Sequence, residues 1–251
     1  MDGADADRWS EVAESWAELW TPFAEPAWRA VAEAAGVGPG SRVLDVGCGS
    51  GGFLAFAAGL GAAVAGADPA PGMVAVARRT APVADVRAGD AERLPWPDAS
   101  FDVVTAFNAL QFAADPGVAL AELARVAVPG GRVAVANWAE DARNDLATIE
   151  AAVALADGEE PAPEGALRRA GELAELLAGA GLAGVTAGLV ELPWRAADDD
   201  ELVRGVLLGE DGAVAAETAP VVVAAAGPFR QPGGGYLLGN AFRYAVGTTP
   251  R

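Results

Sequence analysis

The run VLDVGCGSGGF, residues 43–53, places Asp45 in an apolar stretch and then Gly47, Gly49, Gly51 and Gly52 directly after it. Glycine lets a backbone approach a ligand closely, and such a turn aims the first N–H groups of a following helix at that ligand. Gly47, Gly49 and Gly52 satisfy the dinucleotide spacing G-x-G-x-x-G, whereas Gly47, Gly49 and Gly51 satisfy the nucleoside-sulfonium spacing G-x-G-x-G. Asp68 ends the next strand-like run, about 20 residues on, where a carboxylate takes ribose hydroxyls in either class. It is also placed to cap the helix that starts at PAPGM. The turn and Asp68 leave both ligands open. Asp45 favours the sulfonium: a carboxylate there attracts a cationic amino-acid tail and repels a pyrophosphate.

Absences narrow the chemistry further. The chain has no histidine, and all 17 of its basic residues are arginine. That excludes Ser-His-Asp catalysis, histidine-bound zinc, a lysine Schiff base and a P-loop lysine. The one cysteine, Cys48, forms no intrachain disulfide and reads as filler between glycines rather than as a nucleophile. No metal is expected. A net charge of −18 without a basic patch argues against nucleic-acid partners. No apolar run is long enough for a membrane span, and the acidic MDGADADRW is unlike a signal peptide, so a cytoplasmic location is expected.

These residues need elements to hold them. Trp9, Val12, Trp16, Leu19, Trp20 and Phe23 recur at helical spacing within residues 8–35, and Pro22 and Pro26 divide that stretch. Strands are expected at RVLDVG, AAVAGAD, VADVRAGD, FDVVTAFNAL and RVAVANW. They alternate with helices at SGGFLAFAAGLG, APGMVAVARRTA and DPGVALAELARVAVPGG, the last ending in a Pro-Gly-Gly stop. Alternation with near-continuous apolar strands implies a parallel sheet covered on both faces. After Trp138 the rhythm changes: EDARNDLATIEAAVALADGEEPAPEG reads as a helix plus an acidic, Pro-containing loop, and RRAGELAELLAGAG, DDDELVRGVLLG and GAVAAETAPVVVAAAG read as helices. A strand is expected at LAGVTAGLVELPW and a final one at GGYLLGNAFRYAVG.

The order of the Asp45 turn, Asp68, AGDAERLPWPDASFDVV, FNALQF and ELARVAVPGGRVAVANW resembles the class I S-adenosylmethionine-dependent methyltransferases. The likeness is to the small-molecule group that includes the ubiquinone and menaquinone biosynthetic enzymes. It is strong over residues 37–138, and GPFRQPGGGYLLGNAFRYAV is similar to the family's closing segment. The resemblance implies an α/β fold: a Rossmann-like doubly wound seven-stranded sheet, mostly parallel with an antiparallel last strand. It implies one domain over 1–251, with a helical lid at 1–36, a cofactor core at 37–138 and substrate-side helices with the last two strands at 139–251.

The same resemblance implies S-adenosyl-L-methionine as cofactor. Gly47, Gly49 and Gly51 would line its methionine part, Asp45 would reach its ammonium, and Asp68 would hold the ribose. Met73 would lie against the adenine, Asp90 and Ala91 would bond it, and Asn108 would close the site beside the sulfonium. Many relatives carry a histidine after strand four; here Gln111 stands in that stretch. No catalytic residue is assigned. Methyl transfer from a sulfonium needs alignment above all, which suits a chain without histidine or lysine.

Candidate substrate-side residues are Trp16, Trp20, Gln111, Trp138, Arg230, Asn240 and Tyr244, with Arg243 equally readable as a salt-bridge residue. Asp102 reads as a turn or cap carboxylate. The expected partner is a small molecule with an O or N (or C) nucleophile, in natural-product or cofactor biosynthesis, and the chain is expected to be a monomer or homodimer. Two other readings stay open: a methyltransferase-fold protein catalysing cyclisation or rearrangement, and a nicotinamide-dependent oxidoreductase. The second lacks the Tyr-x-x-x-Lys arrangement of short-chain enzymes.

Overall fold

The computed structural model describes residues 3–251. Strand β1 (Arg42–Val46), β2 (Ala63–Asp68), β3 (Asp85–Ala88), β4 (Phe101–Phe107) and β5 (Ala127–Trp138) are parallel neighbours. Two more strands, β6 (Ala183–Glu191) and β9 (Ala241–Thr248), complete a sheet of order β3-β2-β1-β4-β5-β9-β6. Only β9 runs antiparallel to its neighbours. The expected seven-stranded sheet with an antiparallel last strand is therefore the observed one. The chain crosses from one half to the other between β1 and β4, which opens a crevice at the carboxyl ends of those strands.

Alternation along each strand feeds two cores. Leu44, Val104 and Val135 pack under α6 (Pro116–Val126) and α8 (Glu172–Gly179) on one face. Val43, Val103 and Ala134 pack under α3 (Glu25–Ala35), α4 (Gly52–Gly59) and α5 (Pro71–Thr80) on the other. Burial on both sides is why these strands read as unbroken apolar runs. A third core lies over the crevice. Here Trp20, Trp194, Leu202, Val222 and Phe242 join residues of α7 (Asp145–Ala156), α9 (Asp199–Val206) and α10 (Gly212–Ala225).

Several element boundaries differ from expectation; LAGVTAGLVELPW, for one, ends as a strand at Glu191, and Trp194 starts another, β7 (Trp194–Ala196). Helix α6 stops at Val126, and Pro129-Gly130-Gly131 lies within β5 as a bulge: the register jumps from Phe101↔Ala127 to Val103↔Arg132. Gly131 needs to lack a side chain, since a Cβ would stand 2.8 Å from the Val128 carbonyl oxygen. The N-terminal stretch forms α1 (Gly3–Glu11) and α2 (Ala13–Leu19), a 3₁₀ turn at Pro22–Ala24, and then α3. The last expected strand is two. Strand β8 (Tyr236–Leu238) pairs with β7 (Trp194–Ala196) in a separate ribbon, and Gly239-Asn240 breaks the chain before β9. Among the described residues no helix is long and apolar enough to cross a membrane.

Candidate active site

The crevice widens into a cavity of about 610 Å³, within the range of small-molecule sites. Its floor is the turn after β1. Gly47, Gly49 and Gly51 all have positive φ, 69°, 51° and 83°, a region open to glycine at no steric cost. Gly49 has nothing within 4 Å of a hypothetical Cβ, so its backbone faces the cavity. Gly51 does not line it: a Cβ there would lie 2.8 Å from Ala77 Cα, so this glycine lets α4 start against α5. Gly52, which completes the dinucleotide spacing, has no room for a side chain: a Cβ there would stand 2.4 Å from Thr21 and 2.5 Å from Trp28. Its missing side chain makes room for the N-terminal segment, which Thr21 also ties to the turn through a 2.6 Å hydroxyl bond to Ser50.

Two carboxylates bracket the turn. Asp68 accepts from Gly49 N and Ala70 N, each at 2.9 Å, and so holds the turn while leaving lone pairs for a ligand. It sits three positions before Pro71, where α5 begins, and two before the cap residue Ala70. Burial raises its pKa, and the two backbone donors oppose that. Asp45 is buried and accepts a 2.7 Å bond from the Thr105 hydroxyl. Desolvation pushes its pKa to about 7, the Thr105 bond acts against this, and Asp68 adds repulsion. A carboxylate so placed is stabilised in its charged form by an incoming cation.

The remaining wall comes from other strand ends. Asp90 accepts from Glu92 N at 2.8 Å and, with Ala91, lines the cavity. Met73 lines it too, while packing with Ala13 and Val76. Asn108 is held at φ 52°, unusual outside glycine, and its Oδ1 accepts from Trp138 N at 3.0 Å. Gln111, Trp16, Trp20 and Trp138 also face the cavity. The tryptophans are part of the packing as well: Trp20 stacks on Trp194 at 4.7 Å and donates its indole N–H to the Gly205 carbonyl. Helix α1 lies on α5 where Gly72 has no side chain; a Cβ would meet the Ser10 carbonyl at 2.4 Å.

Three expected substrate-side residues stand outside the cavity. Arg230 is paired with Asp199 at 2.6 Å and covers the Tyr236 ring. Asn240 is buried, its Oδ1 accepting from Leu146 N at the start of α7. Tyr244 lies one pleat further along β9 than Phe242, which does reach the cavity, and borders a separate hollow beside Gly188. Arg243 is bound by Glu140. Asp102 pairs with Arg42 and accepts its backbone N–H, which holds its carboxyl below the usual range. Cys48 is buried, with Sγ packed against the space over Gly66.

The lining also includes Glu150 and Arg168, neither of which the sequence pattern singles out. A signal existed for Glu150. It follows Leu146 by four positions and precedes Val153 by three, so a carboxylate sits on the apolar stripe of α7.

A family model described as "Methyltransferase domain" matches residues 44–135. A demethylmenaquinone methyltransferase of Renibacterium salmoninarum is 40% identical over 121 residues, 48% of this chain and 51% of the relative. The chain thus spans about half that relative's length. Another, of Mycolicibacterium paratuberculosis, is 36% identical over 193 residues, 66% of this chain and 80% of the relative. This chain belongs to the class I S-adenosylmethionine-dependent methyltransferases. The methyltransferase fold is shared with the YcgJ protein of Bacillus subtilis, with a TM-score of 0.61 and 21% identity over 89% of this chain and 98% of that one. The cavity fits the family's methyl donor. Its lining suits that donor in charge and space: a desolvated carboxylate at Asp45, acceptor lone pairs on Asp68 at the β2 end, and bare backbone at Gly49 between them.

Proposed function

We propose that this methyltransferase transfers the methyl group of S-adenosylmethionine to an oxygen or nitrogen nucleophile of a small molecule, or to a carbon, in natural-product or cofactor biosynthesis. The observation that carries the reading is the pair Asp45 and Asp68, one on each side of the glycine turn at the β1/β4 crossing. S-adenosylmethionine supplies, when bound, an activated methyl and a neutral thioether leaving group. Asp45 would hold the donor's ammonium, Asp68 its ribose, and Asp90 with Ala91 its adenine. Asn108, fixed by its bond to Trp138 N, would close the site beside the reacting methyl.

The chain's contribution to the chemistry is then placement. Trp16, Trp20, Trp138 and Phe242 wall the rest of the cavity with apolar surface, which excludes water and holds a flat or apolar substrate against the methyl. Proximity and alignment of this kind can supply about 7–11 kcal/mol of a barrier. Neither histidine nor lysine is needed for it.

The test is incubation with methyl-labelled S-adenosylmethionine and a panel of aromatic phenols and amines. Label is expected in an organic product, with one S-adenosylhomocysteine formed per methyl transferred. Conversion of a substrate without S-adenosylhomocysteine would replace methyl transfer by a cyclisation or rearrangement.

A further inference from the structure

Resting on that reading, we propose that Glu150 makes this cavity selective for a substrate with an aromatic or apolar body and a protonated amine. Glu150 stands on α7 and lines the cavity that Trp16, Trp20, Trp138 and Phe242 wall. Its neighbours on that helix, Leu146 and Ile149, are buried, and Val153 packs against the same core. The side chain itself is accessible, and its carboxylate makes no hydrogen bond or ion pair with any described residue. Crowding protein nonetheless raises its pKa by desolvation, as expected of a group that looks into a cavity rather than outward.

The charged groups around it leave the position acidic. Arg168 also lines the cavity, but its guanidinium is engaged by Asp141 at 2.9 Å and by the Ala139 carbonyl at 3.0 Å. Arg168 lowers the Glu150 pKa, Asp141 opposes it with the smaller effect, and the loss of hydration outweighs both, so the net direction is upward. Glu150 is then a carboxylate without an ion-pair partner in the same cavity that Trp16, Trp20, Trp138 and Phe242 line. An ammonium satisfies both at once, by a charge-assisted bond to the carboxylate and by attraction to the indole rings. A ligand carboxylate would meet like charge and pay desolvation besides. The net charge of −18 draws cations toward the opening and repels anions.

The experiment uses the full chain saturated with S-adenosylhomocysteine, whose own titration comes first. Failure of that titration would refute the methyltransferase reading and is seen before any amine is added. Tryptamine, 3-ethylindole and indole-3-acetate then serve as cationic, neutral and anionic probes of one shape. In the wild type tryptamine should bind at least tenfold more tightly than 3-ethylindole, and indole-3-acetate most weakly. Glu150→Gln should remove the amine preference while leaving 3-ethylindole binding unchanged. No measurable tryptamine binding, no preference for it, or a preference that survives in the variant would overturn the proposal. Thermal unfolding without ligand supplies a second readout independent of the probes. Glu150→Gln should unfold at the same or a higher temperature than wild type, because it removes an uncompensated charge. A clear drop would mark Glu150 as a structural partner of Arg168 and would also overturn the proposal.

Discussion

Asp68→Ala will leave the protein folded and weaken S-adenosylmethionine binding by roughly a hundredfold or more. The carboxylate has two tasks. Toward a bound cofactor it would accept two ribose hydroxyls, charge-assisted bonds worth about 1.5–3 kcal/mol each. Toward its own chain it already accepts Gly49 N and Ala70 N, which fixes the floor of the cavity before any ligand arrives. Alanine removes both, and leaves two N–H groups in a largely buried corner without their partner. Asp68→Asn separates the tasks only in part, because an amide NH₂ must face one of those two N–H donors. It should therefore weaken binding nearly as much as alanine. Calorimetric titration with the wild type as reference is the measurement. Affinity within threefold of wild type in Asp68→Ala would remove Asp68 from the ribose site.

Cofactor affinity will also rise with pH below neutrality, by up to about tenfold per unit. The sign follows from Asp45. In the cofactor-free protein burial raises its pKa to about 7, well above the ordinary aspartate value of 3.8. A raised carboxyl contributes stability that is complete below the unfolded pKa and is lost as pH rises through the folded one. The free protein is therefore disfavoured as Asp45 ionises. An ammonium beside it favours the ionised form and pulls its pKa down. Binding near or below pH 7 must then release a proton, and raising the pH toward 7 removes that opposing step. Titrations in two buffers of different ionisation enthalpy will count the proton directly. Asp45→Asn should bind weakly and without this slope; a flat profile in the wild type would show that no cation meets Asp45.

How far the sequence disclosed this site depended on whether a residue's role was local. Asp45, the glycine turn and Asp68 were legible because strand, turn and helix N-terminus are contiguous, and the chemistry demands those residue types at that spacing. The two-faced sheet was legible from the same runs. Gly52 was ambiguous in sequence, and only the approach of Thr21 and Trp28 assigns its missing side chain to packing.

The substrate side depended on register. Reading residues 234–247 as one strand hid the break at Gly239-Asn240, so Arg230 and Tyr236 went to the β7–β8 ribbon and Asn240 turned to the start of α7. Tyr244 was misjudged by one pleat, about 7 Å along a strand; Phe242 occupies the place expected of it. Trp16, Trp20 and Trp138 stand out in the sequence as large aromatics on a polar-faced helix or at a strand end, and all three line the cavity. Glu150 does not stand out, because a single carboxylate in a helix draws no attention until its apolar stripe is traced.

If Asp45 and Asp68 bind as proposed, they define a site for S-adenosylmethionine and not for a dinucleotide. Parallel calorimetric titrations of the wild-type protein with S-adenosylmethionine and with NAD test that assignment most directly. One saturable site is expected for S-adenosylmethionine, lost in Asp68→Ala, and no heat of binding from NAD, whose pyrophosphate would face the Asp45 carboxylate. Saturable NAD binding with none for S-adenosylmethionine would contradict it.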